Sequence, residues 1–255
     1  MKVVVCVKQV PDANTPMALD PETKTLVRGT QVLDDSDTFG VEMGLQLADK
    51  TGGEVTLVSM GPPGQLQGLR TALAMGAGKA VVVSDDALKA SDALSTAKVL
   101  AKVIEREGFD IVLTATESTD GYTGTLPAQL AELLGVPSLT FAKHVEVADG
   151  KVQVNRQTEQ GYDEVEAPTP VVISVTAGVV EPRYPSFKGI MAAKSKPVEE
   201  LSLSDLGLDG VGGAAAGQEI VEVEPAPERS AGEIVEDDGE AHNKVVEYLK
   251  NIKVI

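Results

Sequence analysis

The chain has 255 residues, a net charge of −17 and one cysteine, and only 3% of its residues are aromatic. The acidic balance argues against nucleic acid as a partner, and a single cysteine excludes an internal disulfide and is typical of a reducing compartment. No apolar run reaches the length of a membrane span, and the opening MKVVVCVKQVPD turns polar too early for a secretory signal. We therefore expect a cytoplasmic protein that does not insert into membranes.

Short β-branched runs and helical patterns alternate through the first half of the chain. The pattern predicts strands at residues 3–8, 55–60, 79–85 and 111–115, and helices at residues 39–49, 66–75, 91–107 and 126–135. Asp37 or Thr38 is the predicted cap of the first helix. Because strands that alternate with helices pair in parallel through right-handed crossovers, the predicted fold is α/β, with a doubly wound, mostly parallel sheet.

The pattern changes after Pro137. Residues 141–159 alternate apolar and polar side chains around Asp149-Gly150, which predicts an antiparallel hairpin. The following PTPVVISVTAG predicts another buried strand. We expect this antiparallel ribbon to extend the same sheet or to flank it.

The last part of the chain is predicted to be an extended C-terminal arm, residues 201–255, which follows a nucleotide-binding domain at residues 1–200. The arm opens with a Gly/Ala-rich stretch at residues 201–218 and ends with an amphipathic helical pattern at residues 241–255. A short helix after such an arm needs an apolar surface. The pattern leaves open whether a partner chain or the chain's own domain provides it.

Three strand-end loops could bind a ligand, because ligands of open α/β sheets lie at the carboxyl ends of the strands. These loops are VPDANTP, SMGPPGQ and TESTDGYTGT. In the third loop, Gly121 and Gly124 permit close approach of the backbone, and hydroxyl side chains surround them. Two interpretations fit this pattern: a phosphate site, or a polar loop with a capping threonine.

Several sharper motifs are absent. Neither G-x-x-x-x-G-K-[ST] nor a strand followed by G-x-G-x-x-G occurs in the sequence. His144 and His242 lack metal-ligand spacing and are predicted to lie on the surface. Cys6 is predicted to be a buried or strand-end residue, and the carboxylates of residues 34–37 are predicted to charge a helix N-terminus. The sequence predicts no catalytic constellation and no metal site.

The segment RYPSFKGIMAAKSK, residues 183–196, is basic in an acidic chain. It contains four cations and no acid, and its large side chains are those of Tyr184, Phe187, Ile190 and Met191. The polar neighbours of Phe187 predict that its ring is exposed. Ile190 and Met191 fit either a surface or a core.

Five stretches of the sequence together resemble one family. They are VVVCVKQVPD, VSMGPPGQLQGLRTALAMGA, STDGYTGTLPAQLAELLGVP, VNRQTEQGYDEVEAPTPVVISV and EPRYPSFKGIMAAKSK, and they run almost from end to end of the chain. In combination they resemble the beta subunit of the electron-transfer flavoprotein. The resemblance implies an electron-carrier subunit with no catalytic residues. Such a subunit accepts electrons from flavin dehydrogenases, such as the acyl-CoA dehydrogenases of fatty acid β-oxidation. It passes them through a quinone oxidoreductase toward the respiratory chain.

The resemblance also implies a heterodimer and two ligands. An alpha subunit would hold the redox-active FAD and receive the C-terminal arm, and this Rossmann-like chain would hold a structural AMP. Backbone amides near residues 124–126 would hold the phosphate. Carried over by position, the AMP site comprises Cys6, Asp34, Asp35, Ser36, Asp37, Met60, Ala115, Ser118, Thr119, Asp120, Gly121, Tyr122, Thr123, Gly124, Thr125 and Leu126.

In this family, the segment that resembles residues 183–196 is a recognition loop that docks partner dehydrogenases, and its anchor position falls on Phe187. An apolar anchor supplies affinity, and the surrounding cations raise the encounter rate with acidic partners. The docking residues implied in this way are Arg183, Tyr184, Phe187, Lys188, Ile190 and Met191.

Three positions depart from the family pattern. Asp34-Asp35 replaces Asn-Pro, and Gly-Thr-Leu at residues 124–126 replaces a more polar triplet. In some members an aromatic residue near the position of Ala13 touches the partner's flavin, and that ring is missing here. Electron-bifurcating relatives hold a second FAD in the same cavity, and Asp34-Asp35 favours AMP here. A stand-alone ATP-binding α/β protein is the other alternative, although the S-G-G-x-D-S loop of ATP-splitting proteins is absent.

Overall fold

The computed structural model describes residues 1–12, 14–224, 232, 234–237 and 239–255. By their contacts these residues divide into two compact units, residues 1–220 and 221–255. Ala13 lies outside the described residues, as do positions 225–231, 233 and 238 of the predicted arm.

The first unit contains eleven strands among its described residues. They are β1 (Lys2–Cys6), β2 (Gln9–Pro11), β3 (Gln31–Leu33), β4 (Glu54–Met60), β5 (Lys79–Val83), β6 (Ile111–Ala115), β7 (Ser138–Ala148), β8 (Lys151–Thr158), β9 (Gly161–Pro168), β10 (Val171–Val175) and β11 (Val198–Leu201). Nine of them form one sheet in the order β11-β5-β4-β1-β6-β10-β7-β8-β9, and β2 and β3 form a separate antiparallel pair.

The helices of the first unit are α1 (Asp35–Thr51), α2 (Gln67–Met75), α3 (Ala93–Glu107), α4 (Leu126–Leu134) and α5 (Phe187–Ala193). The second unit contains α6 (Ala241–Asn251). The predicted cap of the first helix was wrong: α1 begins at Asp35, because the side chain of Asp34 accepts a hydrogen bond from the backbone N–H of Ser36. None of the described helices is both long and apolar enough to cross a membrane.

The doubly wound fold class is confirmed. Every pairing from β11 through β7 is parallel, and β7, β8 and β9 pair antiparallel. The predicted hairpin is also confirmed, since Ala148 pairs with Lys151 across the Asp149-Gly150 turn. The ribbon extends the main sheet, and β9 adds a third strand that the sequence pattern did not separate from its neighbours.

Both faces of the parallel sheet are buried. Val3 and Val5 of β1 pack with α1 and α2 on one face, and Val4 and Cys6 pack with α3 and α4 on the other. Helix α1 lies very close to the sheet, since a Cβ on Gly44 would lie 3.0 Å from Val5 Cγ2. A strand buried on both faces is apolar at almost every position, which explains the valine run of β1.

The order of the sheet places a crevice beside β1. Strand β1 lies between β4 and β6, and the chain leaves β1 toward α1 on one face and leaves β6 toward α4 on the other. The loops that follow β1 and β6 therefore diverge. Ligands of open α/β sheets bind at such a switch point, outside the carboxyl ends of the strands.

Residues 201–220 do not extend away from the first unit. Leu203 and Leu206 are buried in the cluster that contains α3, and a Cβ on Gly212 would lie 2.1 Å from the carbonyl oxygen of Ala87. The Gly/Ala-rich composition thus permits close packing at this point, and the packed unit extends to Ile220 instead of ending at residue 200.

Candidate functional site

Asp34 fastens the loop after β6 to the N-terminus of α1. Its Oδ1 accepts hydrogen bonds from the N–H (3.1 Å) and hydroxyl (2.6 Å) of Ser36. Its Oδ2 accepts bonds from the N–H (2.8 Å) and hydroxyl (3.1 Å) of Thr119. Asp34 is fully buried. Because all four bonds would be lost with this carboxylate, it fixes the loop after β6 against the start of α1.

Asp120 holds the same loop to Lys8 and Arg28. Its side chain, 2% exposed, accepts bonds from Lys8 Nζ (2.5 Å) and Arg28 Nη2 (2.7 Å). Lys8 Nζ also donates to the hydroxyl of Ser118 (3.1 Å). Burial alone would raise the pKa of Asp120, but the hydrogen bonds and charges of Lys8 and Arg28 outweigh burial and hold it below its usual value.

The sequence did not predict the roles of Lys8 and Arg28. Lys8 could have been noticed as a cation that directly follows a buried strand. Arg28 lies in an irregular segment and carries no sequence signal. Together they tie two separate parts of the chain to one carboxylate in the loop after β6.

The N-terminus of α4 presents free backbone donors to the crevice. Residues 121–125 are exposed, and Gly124 has a φ of +66°, a conformation that favours glycine. The N–H groups of Thr123, Gly124, Thr125 and Leu126 have no acceptor among the described residues. Thr125 occupies the N-cap position, but its side chain makes no capping bond. The interpretation as a capping threonine was therefore wrong, and the unpaired N–H groups suit an anion.

Apolar side chains form the adjacent wall. Cys6, Met60 and Leu126 belong to one cluster, and Ala115 at the end of β6 is buried. Burial and the nearby carboxyl of Asp37 raise the pKa of Cys6 to about 12, so its thiol stays protonated at neutral pH. This combination of an apolar wall and a row of N–H donors suits a ligand that carries both an apolar group and an anion.

Asp37 lies beneath the site and accepts a bond from the backbone N–H of Lys8 (2.6 Å). Burial and the carboxylates of Asp34 and Asp120 raise its pKa well above the usual value, although the bond from Lys8 opposes them. Asp35 and Tyr122 are exposed, and their side chains make no hydrogen bond within the described chain.

The structure places both histidines, His144 and His242, on the surface, as predicted. Within the described ranges, no group of three His, Cys, Asp or Glu side chains could hold a metal ion.

The basic segment forms the short helix α5. Ser186 caps it, since its hydroxyl accepts a bond from the N–H of Gly189 (3.0 Å). The side chains of Tyr184 and Phe187 are 94% and 81% exposed, which confirms the predicted exposure of the phenyl ring. Ile190 and Met191 are also on the surface.

Two of the four cations in this segment point back into the chain. Arg183 forms an ion pair with Glu42, and Lys196 Nζ donates to the carbonyls of Leu73 (2.9 Å) and Ala77 (2.7 Å). Lys188 and Lys194 are exposed and make no ion pair with the described residues. Arg183 and Lys196 are thus held by the chain itself, and the expectation that cations of this segment face a partner stays a prediction.

Comparisons with known proteins decide the family. A model of the electron transfer flavoprotein domain matches residues 23–206. The chain is 42% identical to the electron transfer flavoprotein subunit beta of Mycobacterium tuberculosis strain H37Rv, and the match covers 99% of both chains. The chain belongs to the electron transfer flavoprotein family, as a beta subunit.

Other relatives cover the whole chain as well. The electron transfer flavoprotein subunit beta of Thermoanaerobacterium thermosaccharolyticum is 37% identical over 100% of both chains. A subunit of the caffeyl-CoA reductase–Etf complex of Acetobacterium woodii, CarD, is 32% identical over 100% of both chains.

Membership in this family implies an electron carrier that is associated with flavin and AMP, and a heterodimer with an alpha subunit. It favours the flavoprotein hypothesis over the stand-alone ATP-binding protein.

Proposed function

We propose that this chain holds AMP in the crevice beside β1 and pairs with an alpha subunit that holds the redox-active FAD. We further propose that it docks flavin dehydrogenases through α5, and that the electrons pass on to a quinone oxidoreductase. The observation that carries the proposal is the exposed ring of Phe187 on a helix that the rest of the chain holds in place. An apolar ring at 81% exposure favours burial against a partner.

The distribution of aromatic side chains supports a docking role. All eight aromatic residues lie in the described ranges, and six of them are exposed: Tyr122, Phe141, Tyr162, Tyr184, Phe187 and Tyr248. The core is built from aliphatic side chains instead. Aromatic residues are enriched where proteins bind one another, so this surface suits a subunit that binds several partners.

The nucleotide part of the proposal rests on the unpaired donors of α4. The crevice contains more carboxylates than cations, and Lys8 and Arg28 are already paired with Asp120. A phosphate must therefore be held mainly by the N–H groups of residues 123–126 and by the positive end of α4. Asp34 and Asp120 keep this loop in place, and Cys6 and Met60 exclude water from one side.

We also propose that the C-terminal arm binds the alpha subunit. Val245 and Tyr248 of α6 and Ile252, the residue that follows it, recur at helical spacing and are exposed. A helix of 11 residues is marginal in water without a surface to cover its apolar face. The alpha subunit would provide that surface.

The docking role is tested by Phe187→Ala in the complex with the alpha subunit. We expect the apparent KM of an acyl-CoA dehydrogenase for the variant heterodimer to rise by about tenfold or more, since truncation of a central anchor costs about 2 kcal/mol. The flavin absorption spectrum should not change. Leu94→Ala removes an exposed apolar side chain on α3 and serves as the control. Unchanged kinetics for the Phe187 variant would exclude this docking role.

The nucleotide site is tested by a matched pair of glycine substitutions. Gly124 and Gly135 flank α4 with φ angles of +66° and +65°, so Ala imposes a similar backbone strain at each. Only Gly124 lies at the proposed phosphate site. We expect Gly124→Ala to lose bound AMP and Gly135→Ala to retain it, as measured by mass spectrometry of the nucleotide released on denaturation. Equal retention in both variants would place the nucleotide elsewhere.

One relative favours a second candidate function. The CarD relative is named as a subunit of the caffeyl-CoA reductase–Etf complex. By analogy, this chain could serve a single enzyme complex as an electron-bifurcating subunit, with FAD in the crevice in place of AMP. Two FAD molecules and no AMP per heterodimer would identify this alternative.

A further inference from the structure

A buried carboxylate on α1 holds the start of the docking segment. The side chain of Glu42 is 4% exposed. Its Oε2 accepts bonds from Arg183 Nε (2.7 Å) and from the backbone N–H of Arg183 (3.2 Å), and its Oε1 accepts from Arg183 Nη2 (3.1 Å). Gln46 Nε2 also donates to Oε1 (2.9 Å). Glu42 thus binds both the side chain and the backbone of one residue.

This arrangement fixes direction as well as position. A guanidinium that binds a carboxylate through two parallel bonds has a defined orientation, which a single point charge does not impose. Burial alone would raise the pKa of Glu42, but the hydrogen bonds from Arg183 and Gln46 outweigh it and lower the pKa. The carboxylate therefore stays charged and bonded at neutral pH.

Arg183 lies four residues before Phe187, and Pro185 stands between them. Proline fixes its own φ and restricts the residue before it, so the chain between Arg183 and α5 has little freedom. A change in the orientation of Arg183 therefore also changes the orientation of α5, which carries the ring of Phe187.

The far end of the segment is held independently. Arg70 Nη1 of α2 donates to the carbonyls of Ala193 (2.7 Å) and Lys196 (2.8 Å). Helix α5 lies directly against α2, since a Cβ on Gly189 would lie 2.4 Å from the carbonyl oxygen of Ala74. Both ends of α5 are thus attached to helices of the packed unit, while Tyr184 and Phe187 remain in solvent.

We propose that Glu42 is a positioning residue for docking: through Arg183 it holds α5 in the orientation that presents Phe187 to a partner dehydrogenase, without contacting that partner itself. This inference rests on the proposed docking function. Its physical basis is preorganisation, because a side chain that is already held in its bound orientation loses less conformational freedom on binding.

The test is a double-mutant cycle in the complex with the alpha subunit. Glu42→Gln keeps the size of the side chain and removes the carboxylate charge that binds the guanidinium most closely. The longer contact of Arg183 Nη2 with Asp49 Oδ2 (3.4 Å) is left in place. We expect the substitution to raise the apparent KM of an acyl-CoA dehydrogenase for the heterodimer by roughly two- to tenfold, the lower part of the range of coupling between contacting residues, with kcat unchanged. In the Phe187→Ala background, Glu42→Gln should change the apparent KM almost no further, because the side chain that Glu42 positions is gone.

Glu107→Gln is the matched control. Glu107 is also an ion-paired glutamate with a largely buried side chain (9% exposed), but its partners are Lys79 and Arg106, and it has no bond to α5. The Glu107→Gln variant should leave the apparent KM unchanged. A Glu42 effect of equal size with and without Phe187, or no effect at all, would overturn the proposal, since either result means that Glu42 does not act through the ring.

Hydrogen exchange of the same variants separates this inference from the docking function. We expect Glu42→Gln to speed exchange of the amides in residues 187–193 and to leave the amides of α3 unchanged. If Phe187→Ala leaves the kinetics unaltered, the docking function fails, but faster exchange in α5 still supports Glu42 as its anchor. Unchanged exchange in α5 would overturn that anchoring role.

Discussion

Replacing Asp120 with Asn tests how the crevice is held together. The substitution keeps the size and shape of the side chain and removes the charge that binds Lys8 and Arg28. Breaking a fully buried ion pair costs about 3–5 kcal/mol. Here the cations are 38% and 34% exposed and can be rehydrated, so we expect a smaller loss of about 1–3 kcal/mol in the free energy of unfolding.

The pH dependence of this loss has a definite sign. The folded pKa of Asp120 lies below its ordinary value of 3.8, so the unfolded chain binds the proton first as the pH falls. The stabilisation is therefore complete above pH 3.8 and is lost as the pH falls through the lower folded value. The difference between wild type and variant should narrow in that acid range, because Asn does not titrate.

Urea unfolding followed by circular dichroism, at pH 7 and at two acid values, measures both quantities. The control is Asp86→Asn, since Asp86 forms an exposed pair with Lys89 and its loss should change little. Two results would refute this prediction. One is a loss in the free energy of unfolding below about 0.5 kcal/mol at pH 7, and the other is a difference between wild type and variant that stays constant in acid. Either result means that the ion pairs of Asp120 do not stabilise the loop.

Two further predictions concern buried acids at the same site. The pKa of the Cys6 thiol is raised to about 12, so this thiol should resist iodoacetamide at pH 8 in the folded heterodimer and react readily in urea. Rapid reaction without urea would contradict the burial of Cys6. The folded pKa of Asp37 is raised, so stability should fall as the pH rises from 3.8 toward that value, and Asp37→Asn should remove this fall. Urea midpoints of wild type and variant at pH 5 and pH 8 measure the effect, and parallel pH profiles would exclude it.

The sequence predicted those features of the fold that leave a local pattern of apolar and polar residues. Strands buried on both faces are mostly apolar, so β1, β4, β5 and β6 were visible as short runs rich in Val, Leu and Ile, and their alternation with helices predicted the doubly wound sheet. The exposure of Phe187 followed from its polar neighbours.

The contacts that fix the site were not predictable in the same way. The pairs Arg28–Asp120 and Glu42–Arg183 join residues 92 and 141 positions apart, and neither leaves a local pattern. Residues 201–220 read as an arm because glycine and alanine are typical of linkers, yet the same small side chains permit close packing. The cap at Asp34 was missed because several acids in a row compete for that position.

The most direct test of the account is the nucleotide content of the purified heterodimer. The complex with the alpha subunit is denatured, and the released nucleotides are identified and counted by mass spectrometry. The account predicts AMP and FAD in equal amounts, with the AMP held by this chain. A heterodimer that releases FAD without AMP would contradict it.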